Sequence, residues 1–321
     1  MVANYESLKN KQTELIRKAL EGSVFLGDIS VPAITNLTEY TATATAGQLD
    51  GSAAAVNIAT GGNLVLNIKG TNYTVALATA DIPSAVVTKI NTAISGVGTA
   101  SLVSSILRIV TTDTGSDATI KVVSGTGTVL ANLFLVKGQA GFGKDVGVNL
   151  KPLPAGMDDL GWLSNDGAQF SRDVSTSDVQ SWGSVTPTRS DVTSDTSTLA
   201  VTAQETKLLT IGLATGADLA AVTPDANTGE VRIEKPTRPA SKHYRALSVS
   251  VDLGDAGEIY IARFFPRAKV TNYAEQSFGG GDDPIAWGVT LTGEEDSNLG
   301  FSESWLFGGP GWNALLADMG F

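Results

Sequence analysis

One histidine, His243, and no cysteine occur among the 321 residues. Any Ser-His-Asp relay would therefore have to run through His243. It stands between Lys242 and Tyr244 at the start of an alternating apolar run, where a partly exposed strand residue is the plainer reading. The lack of cysteine removes thiolate nucleophiles, disulfide frameworks, zinc fingers and iron–sulfur clusters. Three short runs have the composition of ligand loops. Asp225-x-Asn227-x-Gly229 opens like a calcium loop, but its glycine comes one place early and no glutamate closes it, which leaves a turn. Gly279-Gly280-Gly281-Asp282-Asp283-Pro284 sets two carboxylates side by side, within what reads as a loop between strands. Gly141-Phe142-Gly143-Lys144-Asp145 lacks the spacing of a phosphate loop, and Asp145 would repel phosphate. No nucleophile elbow is present either. The expectation is a protein without catalytic residues, cofactor or metal, and so not an enzyme.

Composition points the same way. Charged residues are 17% of the chain, against about 25% in a typical soluble domain. Thr, Val and Gly are abundant, which favours strands and turns. The net charge is −11, so general nucleic-acid binding is not expected, because phosphate contacts need clustered Lys and Arg. The first twenty residues are amphipathic and charged, unlike a secretory signal. The longest uncharged windows, 51–68 and 90–107, are too polar to span a bilayer, so no membrane partner is expected.

Three regions must position whatever surface does the work. Residues 5–21 read as a helix: Leu8, Leu15, Ile16, Ala19 and Leu20 recur near helical spacing, and Gly22 stops it. Residues 39–149 differ in character. They hold six acidic and six basic side chains, so the whole −11 lies outside them. A hairpin is expected over 63–77, turning at Gly70-Thr71-Asn72. A helix capped by Asp81 follows, with Val86, Val87, Ile90 and Ile94 as its apolar stripe. Strands over 101–103, 106–111 and 119–123 complete a small β-β-α-β-β unit. Residues 150–321 carry strong alternation at 198–203, 231–234, 247–253, 259–265, 268–273 and 285–292, with a short helix near 204–212.

Two resemblances follow from these residues. Lys69-Gly70-Thr71, Tyr73-Thr74-Val75, Lys89-Ile90-Asn91-Thr92-Ala93, Leu107-Arg108-Ile109 and the stretch Thr111 to Ile120 are similar to the IN motif of flagellin and hook-associated proteins. That implies a surface-displayed decoration domain on a tubular assembly. The second series is Asp159-Leu160-Gly161-Trp162, Val179-Gln180-Ser181-Trp182-Gly183, Pro187-Thr188-Arg189-Ser190-Asp191, Ala262-Arg263-Phe264-Phe265-Pro266, Trp287-Gly288-Val289 and Trp305-Leu306-Phe307-Gly308. In this order it resembles the major tail tube proteins of long-tailed, non-contractile (siphovirus) bacteriophages, over most of 155–310.

The second resemblance implies a mainly β fold: a tail-tube sandwich or barrel with a flanking helix, plus the small inserted α+β domain. The domains would be 1–38 (N-terminal helix or arm and a first strand over 24–38), 39–149 (an outward-pointing insertion) and 150–321 (the rest of the tube domain). Subunits would close into hexameric rings in the family's manner, and rings would stack into a hollow tube. The partners implied are further copies of the chain and the tape-measure, tail terminator and distal tail proteins, with DNA passing unbound. The place implied is the virion tail, after assembly in the host cytoplasm. A negative lumen would repel DNA phosphates, and Asp173, Asp178, Asp191, Asp195 and Glu275 are candidates to line it. Leu8, Leu15, Ile16 and Leu20 are candidates for an inter-ring arm. Two rival readings are the tube of a bacterial injection device and a surface carbohydrate-binding β protein.

Overall fold

The computed structural model describes residues 11–217, 219, 222–234, 237, 242–276, 278 and 284–321. The expected Gly-Gly-Gly-Asp-Asp loop at 279–283 and Leu8 lie outside the described residues. The chain is mainly β. It divides into two compact units, residues 1–37 with 150–321, and residues 38–149.

The chain enters through β1 (Glu21–Asp28), which buries Val24 and Leu26 on one face. It ends where the Asp28 carboxylate accepts the Ser30 N–H at 2.9 Å, well short of the expected limit at residue 38. The helix expected over 5–21 is not formed over its described part. Only a 3-10 turn occurs, at Thr13–Leu15. The physical reason is that the backbone has a better partner: the Lys18 N–H bonds Asp252 and the Leu20 N–H bonds the Val251 carbonyl. An amphipathic helix depends on a surface for its apolar stripe, whereas here Ile16 and Leu20 remain 73% and 58% exposed.

In the second unit β2 (Thr38–Thr41) pairs with β10 (Gly147–Leu150), so the two ends of the unit run side by side. Between them come β3 (Ala46–Ala54), β4 (Gly62–Ile68), β5 (Thr71–Leu77), α1 (Pro83–Ala93), β6 (Gly98–Val103), β7 (Ile106–Thr114), β8 (Thr119–Gly125), α2 (Val129–Leu133) and β9 (Ala140–Phe142). Two sheets form, β3-β7-β6 and β5-β4-β8-β9. Their core takes Leu64, Leu66 and Ile68 from β4, and Val86, Ile90 and Ile94 at four-residue spacing around α1. Asp81 does not cap α1, whose N-cap is Ile82. Its carboxylate instead takes the Lys89 ammonium and the Ala78 N–H, which together hold it below the usual carboxylate range.

Gly141 on β9 is fixed by space. A Cβ there would stand 1.8 Å from the Gln48 carbonyl oxygen, which is backbone and cannot swing away. Gly141→Ala should therefore cost this unit at least about 3 kcal/mol. All five tryptophans lie in the other unit. The expected result is an earlier far-ultraviolet circular dichroism transition in urea with the tryptophan fluorescence transition unmoved. A joint shift of both signals would refute independent units.

The first unit continues with β11 (Met157–Asp159), β12 (Leu163–Val179), β13 (Arg189–Ala203), α3 (Leu208–Thr215), β14 (His243–Gly254), β15 (Gly257–Tyr273), β16 (Trp287–Gly293), β17 (Ser304–Gly308), α4 (Pro310–Ala314) and α5 (Leu316–Met319). One eight-stranded sheet results, in the order β11-β1-β14-β15-β16-β13-β12, with β17 also on β15. β15 changes partner partway, from β17 over 260–264 to β16 over 268–273. Pro266, which has no N–H to give, sits at the register slip between those halves. Val24 and Leu26 of β1 share a core with Leu199 and Val201 of β13, although three strands separate them in the sheet, so the sheet curls on itself. Leu213 of α3 packs into that core, and a second core around Leu247, Tyr260 and Phe264 lies on the other face. The strand expected at 231–234 is absent: Val231 is 45% exposed, and Arg232 pairs with Glu234 outside any ladder.

Candidate assembly surface

β12 and β13 form a hairpin far longer than the core it serves. Ala168, Phe170, Leu199 and Val201 pack in the core, whereas residues 171–195 are exposed apart from the half-buried Ser184. From Phe170 to Val179 the ladder runs nine steps, or about 30 Å at ~3.3 Å each. The far half carries Val174, Val179, Val185 and Val192 at 44–98% exposure, and Trp182 fully exposed at the tip. Only the strand ending in Ala203 is expected from alternation, because the distal half alternates nothing apolar against polar.

The ladder sorts the acidic candidates onto two faces. Successive residues of a strand point to opposite sides, and the register pairs Asp173 with Thr196, Val174 with Asp195, Ser177 with Asp191 and Asp178 with Ser190. Asp173 and Asp191 thus share one face, while Asp178 and Asp195 share the other with Phe170 and Leu199. Asp195 is not free: Arg172 grips both its oxygens and holds its carboxyl below the usual range. Asp191 pairs with Arg189 at 2.8 Å. Glu275 lies exposed just past the end of β15, outside the β12–β13 ladder. One lumen-lining set of five therefore cannot face one way.

On the face with Asp173, polar side chains continue across the sheet. Ser171 meets Thr198 at 2.6 Å, and Thr292 meets Thr271 at 2.7 Å. The row ends at Glu294, which accepts from Lys269, from His243 Nε2 at 3.0 Å and from Arg267 at 3.4 Å. Lys269 first, then His243, keeps the Glu294 carboxyl below its ordinary range. His243 thus belongs to a charge cluster on the sheet surface.

Beside the root of the hairpin begins a stripe of aromatic rings. Trp305 stacks on Phe307 at 6.1 Å between centroids, Phe307 on Trp312 at 4.8 Å, and Trp312 meets Phe321 at 6.4 Å. Trp305, Phe307 and Phe321 are 55%, 45% and 85% exposed. The Arg263 guanidinium lies 4.1 Å from the Phe170 ring centre and 4.3 Å from that of Trp305, and pairs with Glu303. These groups border an open cavity of about 480 Å3 at the base of the hairpin. Among the described residues β17 pairs with β15 alone, so its outer edge is open. Sequence reasoning missed the stripe, because Trp305 and Phe307 alternate within a five-residue strand and Phe321 stands sixteen residues from Trp305.

The segment that carries Leu15, Ile16 and Leu20 is tied to β14 by one carboxylate and one carbonyl. Asp252 accepts the Lys18 N–H at 3.2 Å and pairs with Arg17 at 3.4 Å. The Lys18 N–H, then the Leu253 N–H and the Arg17 charge, lower its carboxyl from the usual value. A carboxyl lowered on folding contributes fully above its unfolded value, about pH 4, and the contribution is lost as pH falls through the folded value. Acid should therefore free residues 17–20 first. The Leu20 amide should lose exchange protection below about pH 4, after correction for intrinsic rates, while β14 and β15 stay protected. Asp252→Asn should abolish that pH dependence; an unchanged profile would refute the tether.

The remaining motifs do other work. The Asp225 carboxylate accepts the Asn227 and Thr228 N–H groups and closes a turn. Asp145 accepts the Ser116 N–H. Among the described residues no cluster of three or more His, Cys, Asp or Glu side chains is placed to hold a metal. No described helix is long and apolar enough to cross a membrane.

A curled β unit with a projecting hairpin, an open strand edge and exposed aromatic rings defines a protein that presents surface to other chains. The family model described as phage tail tube protein matches residues 114–305, more than half of the chain, and the chain belongs to that family. The match begins at the last residue of β7 and runs into β17. No curated protein matches the chain. Membership makes it a structural protein of the virion tail that associates with itself.

Proposed function

We propose that the chain is the subunit of a long, non-contractile tail tube: copies close into sixfold rings, and rings stack around a channel for DNA. The observation that carries this is the hairpin, whose distal half leaves its own core and exposes valines and a tryptophan. A closed ring needs a heterologous interface, in which one patch meets a different patch on the next copy. A projecting hairpin supplies one such patch. The hairpin carries five carboxylates against two guanidiniums over 163–203, a balance that suits a surface passed by DNA. Asp173 and Asp191, on one face, are the members of the acidic set best placed to act together.

Residues 39–149 are read as an outward decoration domain: the segment has its own core and carries no net charge. Residues 11–20 are read as an arm between rings, with Leu15, Ile16 and Leu20 as its apolar contacts. The tape-measure, terminator and distal tail proteins would meet the ends of the tube.

Negative-stain electron microscopy of the concentrated protein, at low and high salt, tests the reading. Hollow stacked rings with peripheral knobs are expected. Monomers at every salt concentration that bind a glycan would favour the carbohydrate-binding alternative and sink this one.

A further inference from the structure

Two unpartnered apolar features stand out on the first unit, and they differ in shape. One is convex: Trp182 and Val185 at the hairpin tip, 106% and 98% exposed. The other is a platform beside the open edge of β17: Trp305, Phe307 and Trp312 stacked in series, with Phe321 tilted against Trp312. We propose that the hairpin tip of one copy docks on the aromatic platform of a second copy, with Trp182 as the anchor. This rests on the self-assembly reading above and names the two surfaces that meet.

Reach excludes the same chain as the occupant. Phe170, at the root of the hairpin, shares the Arg263 guanidinium with Trp305, so the platform begins at that root. The paired ladder then carries the tip about 30 Å away. The ladder is hydrogen-bonded from Ala168 to Val179 with a single slip, at Ser175/Thr176, and it cannot fold back on its own root. A second copy has no such constraint.

Area and chemistry fit a second copy. An aromatic side chain buries roughly 150–250 Å2. Trp182 together with the exposed parts of Trp305, Phe307 and Phe321 supplies on the order of 500 Å2, approaching half of the ~1,200 Å2 at which stable interfaces begin. Trp-rich anchors tend to face one another at the centre of such interfaces, ringed by polar contacts. Here the ring is available in Arg172, Asp195 and Glu303 around the cavity at the hairpin base. Tip and platform are different patches, so each copy offers one of each and the contact repeats from copy to copy.

A photo-crosslinking p-benzoylphenylalanine placed at position 182 of the full chain tests this. Equal amounts of isotopically light and heavy protein are mixed before assembly, irradiated and mapped by mass spectrometry. Light-to-heavy links from position 182 into residues 305–321 are expected. Trp182→Asp and Phe307→Asp should each lower the assembled fraction in sedimentation at least about tenfold, with the circular dichroism spectrum unchanged. Assemblies whose links run to residues 11–21, to the second unit or within one copy would overturn this inference and leave the tube reading standing. A wild-type chain that stays monomeric and gives no link between copies would overturn both.

Discussion

A chain in which residues 176–193 are replaced by Asn-Gly will melt where the parent melts and will form no tubes. The junction is a real ladder pair, Ser175 opposite Ser194, and a two-residue Asn-Gly loop suits such a pair. The replacement keeps the ion pair of Arg172 with Asp195 and every core contact of Phe170 and Leu199. It removes eighteen residues, exposed apart from the half-buried Ser184, so the lost burial is negligible and the melting temperature should hold within the effect of an ordinary surface change, about 0.5 kcal/mol. It also removes Val179, Trp182, Val185 and Val192 together. An interface deprived of its tryptophan anchor loses 2 kcal/mol or more per contact, and a ring closes only if every contact holds. Calorimetry and electron microscopy on the same preparation check both halves. Tubes from the shortened chain would remove the hairpin from the assembly surface, and a lowered melting temperature would show that it supports the fold.

How much of this was legible in the residues depends on which force fixed each element. The hairpin of β14 and β15 was, because Leu247, Val249 and Val251 alternate against a buried face and Asp255-Ala256-Gly257 turns the chain. The β4–β5 hairpin and α1 were legible for the same reason, since burial on one side imposes a period. The distal half of β12 and β13 carries no such signal. Its residues are exposed on both faces, and Ser, Thr and Asp fill the positions that would otherwise declare a register. Residues 11–20 misled in the opposite direction. Their apolar residues do repeat at helical spacing, but the Asp252 carboxylate and the Val251 carbonyl of β14 took the Lys18 and Leu20 amides. The acidic candidates were found by type, whereas their division between two faces follows from a bulge at Thr193 and from cross-strand pairing, which residue spacing does not contain.

Arg263→Ala will be among the most damaging single changes in the first unit, and the reason is the partner it abandons. Arg263 is 9% exposed and pairs with Glu303, whose side chain is 10% exposed. Removing one member of a buried pair strands the other charge, at a cost of about 3–5 kcal/mol. The guanidinium also spaces the rings of Phe170 and Trp305, each a little over 4 Å from it, so the variant opens the root of the hairpin as well. Urea unfolding followed by tryptophan fluorescence should record the loss. The double variant Arg263→Met with Glu303→Leu separates the two contributions. Replacing both charges by apolar groups of similar volume is often neutral, so the double variant should return to within about 1 kcal/mol of the parent. If it is as unstable as Arg263→Ala, the stacking of the guanidinium between the rings, and not the stranded carboxylate, holds the root in place. In that case the platform around Trp305 would depend on Arg263 as its spacer, and the single variant would lose tube assembly even in conditions where the unit stays folded.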